Sequence, residues 1–394
     1  MKVYFIIALA VLLNIYGVVF AGSVDYVTNQ SVPFLRTLSR NAATDETDII
    51  VYNPAGTTQF ADGLYMSFHW QGFSKDYAIR DVRSGREFKT TLASPFIPSF
   101  FVLQKEDRLA GFFAFTIPAG GGSVEYDDGL YMVSSMGLTD GYFKGTSLYY
   151  GATAGIAYQI DETLSFSMAV RGIHSTKEYL GNAEHPLAGT LELDSEKKAE
   201  GTGGILGVNL NIGNGNIGVR YETQTTLKYT TKTKVNDFSL PQFDDGLIEY
   251  RDLPAQLSFG CSVDLTEQFK ASFGMNYFFL HKAAQNNEAY ANYDDGIEIQ
   301  LGGEYKLNNK WLFSAGYNYV EIGGNKDTYT DFEYQLDAHF VGAGFRFTPT
   351  DKLHINFAVA KPFYQSSKGA GTFENAEYSK DVNIIAVGVE YKLF

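Results

Sequence analysis

From residue 63 to the C-terminus, apolar and polar residues alternate with a period of two. In "IEIQLGGEYKL", Ile297, Ile299, Leu301, Tyr305 and Leu307 share one face, while Glu298, Gln300, Glu304 and Lys306 share the other. "AQLSFGCSVDL" repeats this, with Leu257, Phe259, Cys261, Val263 and Leu265 opposite Gln256, Ser258, Ser262 and Asp264. "NIGVRYETQTTL" does the same, with Ile217, Val219 and Tyr221 opposite Arg220, Glu222 and Gln224. Period two is the signature of strands, because successive side chains leave opposite faces of a pleated backbone. The pattern predicts fourteen strands, at 63–74, 96–104, 108–118, 147–160, 163–176, 202–213, 215–226, 253–264, 267–280, 294–306, 309–322, 335–348, 351–363 and 380–394.

The connections alternate between tiny and long. Six are tight: "KEDR" (105–108), "DET" (161–163), "GNG" (213–215), "TEQ" (266–268), "NN" (308–309) and "TD" (350–351). A soluble β-sandwich also alternates, but strictly alternating short and long connections and an even strand number are the mark of an outer-membrane barrel, with short inner turns and long outer loops. Closure satisfies every backbone N–H and C=O in a solvent that offers no hydrogen bonds. The predicted fold class is therefore all-β, a 14-stranded antiparallel transmembrane barrel over 61–394. The last strand, "VGVEYKLF", places Val387, Val389, Tyr391 and Leu393 in phase and leaves Phe394 out of phase. A bulge or a frayed end would account for that.

Composition agrees with β structure: 40 Gly, 27 Tyr and 31 Phe in 394 residues. Residues 1–21 read as a secretory signal, with Lys2, an apolar run from Val3 and a small-residue end at Ala21, rather than as a membrane anchor. Without Lys2 the formal charge moves from -14 to -15, a poor match for nucleic acid. Cys261 is the lone cysteine, so no disulfide framework and no cysteine metal site is expected. The six histidines (His69, His174, His185, His281, His339 and His354) show no metal spacing and no nucleophile arrangement. Neither a cofactor nor catalysis is expected.

Residues 22–60 precede the first strand, do not alternate, and carry isolated apolar residues such as Val32, Phe34 and Leu35. They can dangle as a linker or fill the lumen, which in a barrel of this size is wider than its own side chains fill. "NQSVPFLRTLSRNAATDETDIIVYNPAG" ahead of fourteen strands resembles the FadL-type outer-membrane transporters of long-chain fatty acids and other hydrophobic compounds, and "AEGTGGILGVNLNIGNGNIGVRYETQTTLKYT" (199–230) more weakly resembles their middle hairpin. The resemblance implies that the N-terminal segment plugs the lumen. It also implies that Asn53, Pro54, Ala55 and Gly56 pack near a kink in the third strand, and that a hydrophobic substrate leaves sideways through the opening the kink creates.

In the third strand, "RLAGFFAFTIPAGGG", Gly111 is the internal glycine assigned to that kink, and Pro118 ends ladder donation. Pro95 and Pro98 suggest weak pairing in the neighbouring strand. Arg171, Arg220 and His69 are the inward candidates for holding a substrate carboxylate, and Lys361 is ambiguous in facing. Four Asp-Gly sites, near residues 62, 128, 245 and 295, read as strand-entry turns before cation sites. The expected partners are a hydrophobic small molecule and the lipid and lipopolysaccharide of a Gram-negative outer membrane, with the protein a monomer. A porin-like channel and a surface adhesin or receptor are the alternatives. A porin would lack the N-terminal segment and carry a more densely charged lumen.

Overall fold

A computed structural model describes residues 30–91, 96–283, 293–321 and 323–394. The expected signal at 1–21 and Pro95 lie outside the described residues. Fourteen strands form the wall: β1 (Gly63–Asp81), β2 (Ile97–Glu106), β3 (Leu109–Tyr126), β4 (Thr139–Gln159), β5 (Leu164–His185), β6 (Gly189–Ile212), β7 (Gly215–Glu222), β8 (Gln256–Asp264), β9 (Phe269–Phe278), β10 (Gly296–Lys306), β11 (Trp311–Glu321), β12 (Ala338–Thr350), β13 (Leu353–Tyr364) and β14 (Ala376–Lys392). Each pairs antiparallel with the next. β14 pairs with β1 from Tyr65 opposite Lys392 to Asp81 opposite Ala376, which closes the cylinder.

The outward parity is apolar on every strand. Ile385, Val387, Val389 and Tyr391 of β14, Phe166, Met168 and Val170 of β5, and Ile299, Leu301 and Tyr305 of β10 are all exposed. Such a continuous exposed band is costly in water and suits a bilayer. Polar pairs cap its upper edge on the outer face: Lys361 with Asp381 and Asn383 (2.6 and 3.0 Å), Tyr317 with His339 (2.7 Å), and His174 with Glu200 (3.1 Å). Lys361 thus faces outward. Tyr391 and Asp381 are ten residues apart, about 33 Å of strand, or about 25 Å of height at a tilt near 40°. The register runs on past Lys392 without a bulge, Leu393 N donating to Leu64 O (2.8 Å), and Phe394 is the exposed, frayed end beyond it.

Five strands run longer than their alternation predicts. β5 and β6 continue as a hairpin to His185 and Gly189, joined by a short strand (Lys228–Asn236) along β6. Above the apolar band "KEYLGNAEH" and "TLELDSEKKAE" keep one buried face, but Lys177, Ser195 and Lys197 stand on it, so the apolar–polar contrast disappears from the sequence although the ladder persists.

Residues 30–60 fill the lumen. Helix α1 (Val32–Thr37) is capped by the Ser31 hydroxyl, which accepts from Phe34 N (3.1 Å), and has Pro33 in its first turn. Two 3₁₀ turns follow, Thr47–Val51 and Pro54–Gln59. Val32, Phe34, Leu35 and Leu38 pack on Phe340, Ala358, Ala360 and Ile384 of the wall. The plug backbone also lies directly on wall glycines. A Cβ at Gly218, Gly316 or Gly342 would stand 2.0, 1.9 and 2.1 Å from the carbonyl oxygens of Asn41, Thr37 and Leu35. These glycines belong to two rows paired across neighbouring strands, Gly218–Gly260–Gly274 and Gly302–Gly316–Gly342. They are the close-approach glycines of this fold.

Charges lock the plug in place. Arg36, fully buried, contacts Glu46 of the plug (2.7 Å), Glu304 of β10 (2.5 Å) and Asn356 of β13 (3.2 Å). Arg346 of β12 reaches Asp45 and Glu46 (3.1 and 3.2 Å), and Arg40 holds Asp45 and Asp48 within the plug (both 2.7 Å). Burial pushes the Glu46 carboxyl up, but Arg36 and Arg346 pull it further down, from 4.5 to about 2. A depressed folded-state value means that its stabilisation is complete above about pH 4.5 and is lost as pH falls towards 2. Acidification through that window is expected to loosen the plug, read as rising ion conductance in planar bilayers. Conductance unchanged down to pH 2.5 would contradict this coupling.

Candidate functional site

Above the plug the lumen holds two cavities, and β3 runs past both. Its ladder to β4 slips twice. Thr116 lies opposite Gly151, Ala119 opposite Tyr149 and Gly122 opposite Ser147, so Ile117–Pro118 face Tyr150 alone and Gly120–Gly121 face Leu148 alone, one inserted residue at each slip. Pro118 has no N–H to give the ladder. Gly120 and Gly122 sit at φ of 93° and 75°, and a Cβ on Gly120 would stand 2.4 Å from Ser147 O. This is a double bulge that the sequence "IPAGGG" permits and few others would.

On its other flank β3 pairs with β2 only from Leu109 opposite Glu106 to Phe115 opposite Phe100. Contact returns at Tyr126 opposite Thr90, with Thr91 N donating to Glu125 O (2.9 Å). Among the described residues, no strand pairs with this flank of β3 from Pro118 to Val124. The Lys75 ammonium of β1 donates to the Gly121 carbonyl across this stretch. Outside, Trp70 and Phe68 stack on Phe96 (6.2 and 6.4 Å between centroids) at its lower edge.

The lower cavity, about 850 Å³ including the space open to solvent, is floored by Phe34 and Tyr52 of the plug and walled by Thr116 and Pro118. Arg171 of β5 and Arg220 of β7 both bond Glu222 there. Two guanidiniums thus share one carboxylate, and the Nε of each is buried with no hydrogen-bond partner. That is a surplus cation with open donors, suited to a carboxylate. Glu298 stands on the far wall. The upper cavity, about 910 Å³ including its mouth, begins where the lower ends, at Ala119–Gly122. Its walls are aromatic (Tyr77, Tyr149, Tyr179, Phe332 and Tyr334), and it carries Lys177, Arg251, Lys380 and Glu333. The loop 323–337 between β11 and β12 roofs it, anchored by buried Tyr334 and Leu336 in a cluster with Tyr126, Tyr131 and Tyr378.

The structure brings Arg171 and Arg220 together as inward residues of one cavity. His69 is elsewhere: buried, packed on Gly388 and 5.3 Å from the Phe101 ring, it lines neither cavity. Gly111 is regularly paired, opposite Gln104 and Ile156, with open space at its Cβ position. Its parity matches exposed Leu109 and Phe113, so it faces outward and bends nothing. The irregularity lies six to ten residues further along. The plug turn also sits differently from the expectation. Asn53 Nδ2 donates to Val208 O of β6 (3.0 Å) and lies against Gly207 and Gly218, with Ala55 beside Gly207, so Asn53 and Ala55 buttress β6 and β7. Gly56 is pressed against Ala43 within the plug. The Asp-Gly sites are turns or strand entries: Gly129 and Gly246 have positive φ, and Gly63 and Gly296 begin strands. Lys177, Arg251 and Glu333 escaped the sequence reading because they lie in segments without face contrast.

No protein-family model matches the sequence, and no curated protein sequence does. Solved structures do match in shape. A FadL homologue from Pseudomonas aeruginosa superposes with a TM-score of 0.72 at 13% identity, covering 95% of this chain and 100% of its own. The toluene transporter TodX of Pseudomonas putida gives 0.69 at 15% identity, over 92% of this chain and 98% of its own. The toluene transporter TbuX of Ralstonia pickettii gives 0.67 at 16% identity, over 90% and 95%. The chain therefore has the fold of these solved structures, that of the FadL-type transporters.

Proposed function

We propose that this protein admits long-chain fatty acids or similar hydrophobic compounds across a Gram-negative outer membrane, without an energy source. The substrate enters the aromatic upper cavity, passes the bulge of β3 towards the arginine pair, and leaves sideways into the bilayer along the unpaired flank of β3. The observation that carries this reading is that flank: among the described residues no strand pairs with it from Pro118 to Val124, at the level where two cavities meet. An open backbone edge inside a bilayer is costly unless it lines a passage. Sideways exit also spares the apolar tail a passage through periplasmic water, at about 0.8 kcal/mol per CH₂. The plug, bound to the wall by ion pairs, argues against a porin-like aqueous channel.

Cells lacking their own transporter are expected to take up radiolabelled oleate when given this protein, and to conduct ions little above background. Absence of a gain in uptake, together with ordinary porin conductance, would sink the proposal.

A further inference from the structure

Two cations in the upper cavity already hold a carboxylate, and it belongs to the chain. Glu333 lies 3.5 Å from Lys177 Nζ of β5 and bonds Arg251 Nη1. It sits at the end of a tight turn in the roof loop, where Thr330 N donates to Glu333 O (2.8 Å) and Glu333 N to Thr330 Oγ1 (3.1 Å). The turn is pinned beside it, since Asp331 Oδ2 accepts from Met132 N (2.7 Å). Burial pushes the Glu333 carboxyl up, yet Arg251 and Lys177 pull it down to about 2, so it stays charged. Aromatic rings surround this group: Tyr179, Phe332 and Tyr334. An apolar cleft ending in two cations that both hold one carboxylate has the shape of a site for an amphiphilic acid, with the acid's head position filled from within.

We infer that Glu333 occupies the position of a substrate carboxylate, and that the upper cavity takes amphiphilic monocarboxylates, which displace Glu333 from Lys177 and Arg251 on binding. The inference rests on the transport reading above and narrows its substrate class. A neutral hydrocarbon or ester has no charge with which to replace Glu333 and so leaves the roof turn in place. The incoming acid exchanges one ion-pair set for an equivalent one, and Glu333 can reclaim the cations when the acid moves on. The internal carboxylate therefore keeps the acid from being held too tightly at the mouth.

The test compares wild type with Glu333→Gln, each as the full protein in lipid nanodiscs, using a fluorescent eighteen-carbon fatty acid and its methyl ester. Empty nanodiscs correct for partition into lipid. Removing the competing charge is expected to tighten acid binding about tenfold, the equivalent of about 1.4 kcal/mol, and to leave the ester unchanged. Lys177→Met is expected to weaken acid binding and spare the ester. Glu333→Asp should restore wild-type behaviour. Equal acid affinity in wild type and Glu333→Gln, or an equal gain for acid and ester, overturns the assignment, since a merely structural role for Glu333 would not separate the two probes. If wild type binds neither probe and cells expressing it take up no oleate, the transport reading falls and the inference with it. If wild type transports oleate while Glu333→Gln changes nothing, the inference alone falls.

Discussion

Replacing Gly121 by Phe is expected to stop uptake while leaving the barrel folded. Gly121 lies in the second slip of the β3 bulge. A Cβ placed on it meets nothing within 4 Å, and its φ lies outside the positive range that disfavours other residues. A large ring there fills the passage rather than straining the wall. Gly120 offers no such choice, because its φ is 93° and its Cβ would collide with Ser147 O. Uptake of labelled oleate should fall about tenfold or more, the scale of roughly 1.4 kcal/mol added to a limiting step. Gly111→Phe is the matched control. It adds the same ring to the same strand, outward into lipid, and should leave uptake unchanged. Undiminished uptake in Gly121→Phe, with the protein present at normal levels and heat-modifiable on gels, would rule out sideways exit at the bulge.

Arg36→Met should unfasten the plug. It leaves Glu46 and Glu304 in the lumen without their shared cation. Stranding a buried partner in this way costs about 3–5 kcal/mol, whereas a plug of some thirty residues has little independent stability. The wall keeps its own ladder and stays closed. The expected result is a heat-modifiable barrel with raised ion conductance and a plug cut by trypsin in intact membranes. Gly316→Leu reaches the same state by another route, since its side chain would take the space of the Thr37 carbonyl. Conductance equal to wild type in both variants would show that neither the charge cluster nor the glycine row holds the plug.

The wall was legible because a bilayer outside and a polar lumen inside give each strand two unlike faces, and parity then assigns every residue. Arg171 and Arg220 were found in this way. Where the strands rise above the band, as in 177–201, the buried face itself carries Lys177, Ser195 and Lys197, so both faces are polar in the sequence and the same ladder reads as loop. Lys177 was hidden for that reason, and Arg251 and Glu333 because they belong to irregular chain whose placement only the closed barrel decides. Gly111 misled because a lone glycine inside an alternating strand looks like a defect, yet on the lipid face it is only a small side chain. The informative signal was the run Pro118-Ala119-Gly120-Gly121-Gly122, where missing donors and positive φ coincide. Likewise, a high glycine count says nothing about function until one sees that the glycines lie opposite one another, on the inward parity, beneath the plug.

The plug's touch points also bear on how the cylinder is assembled. Thr47 N donates to Glu390 Oε2 of β14 (2.7 Å), and the Thr47 hydroxyl meets Ser67 Oγ of β1 (2.6 Å). One residue of the lumenal segment thus grips the first and the last strand, the pair whose meeting ends barrel formation. These two strands are about three hundred residues apart in the chain, and bringing such distant partners into register is the slow part of building a β topology. A segment anchored just before β1 and carrying a grip for β14 shortens that search, so the element that blocks the finished pore also serves as the gauge on which its seam is aligned.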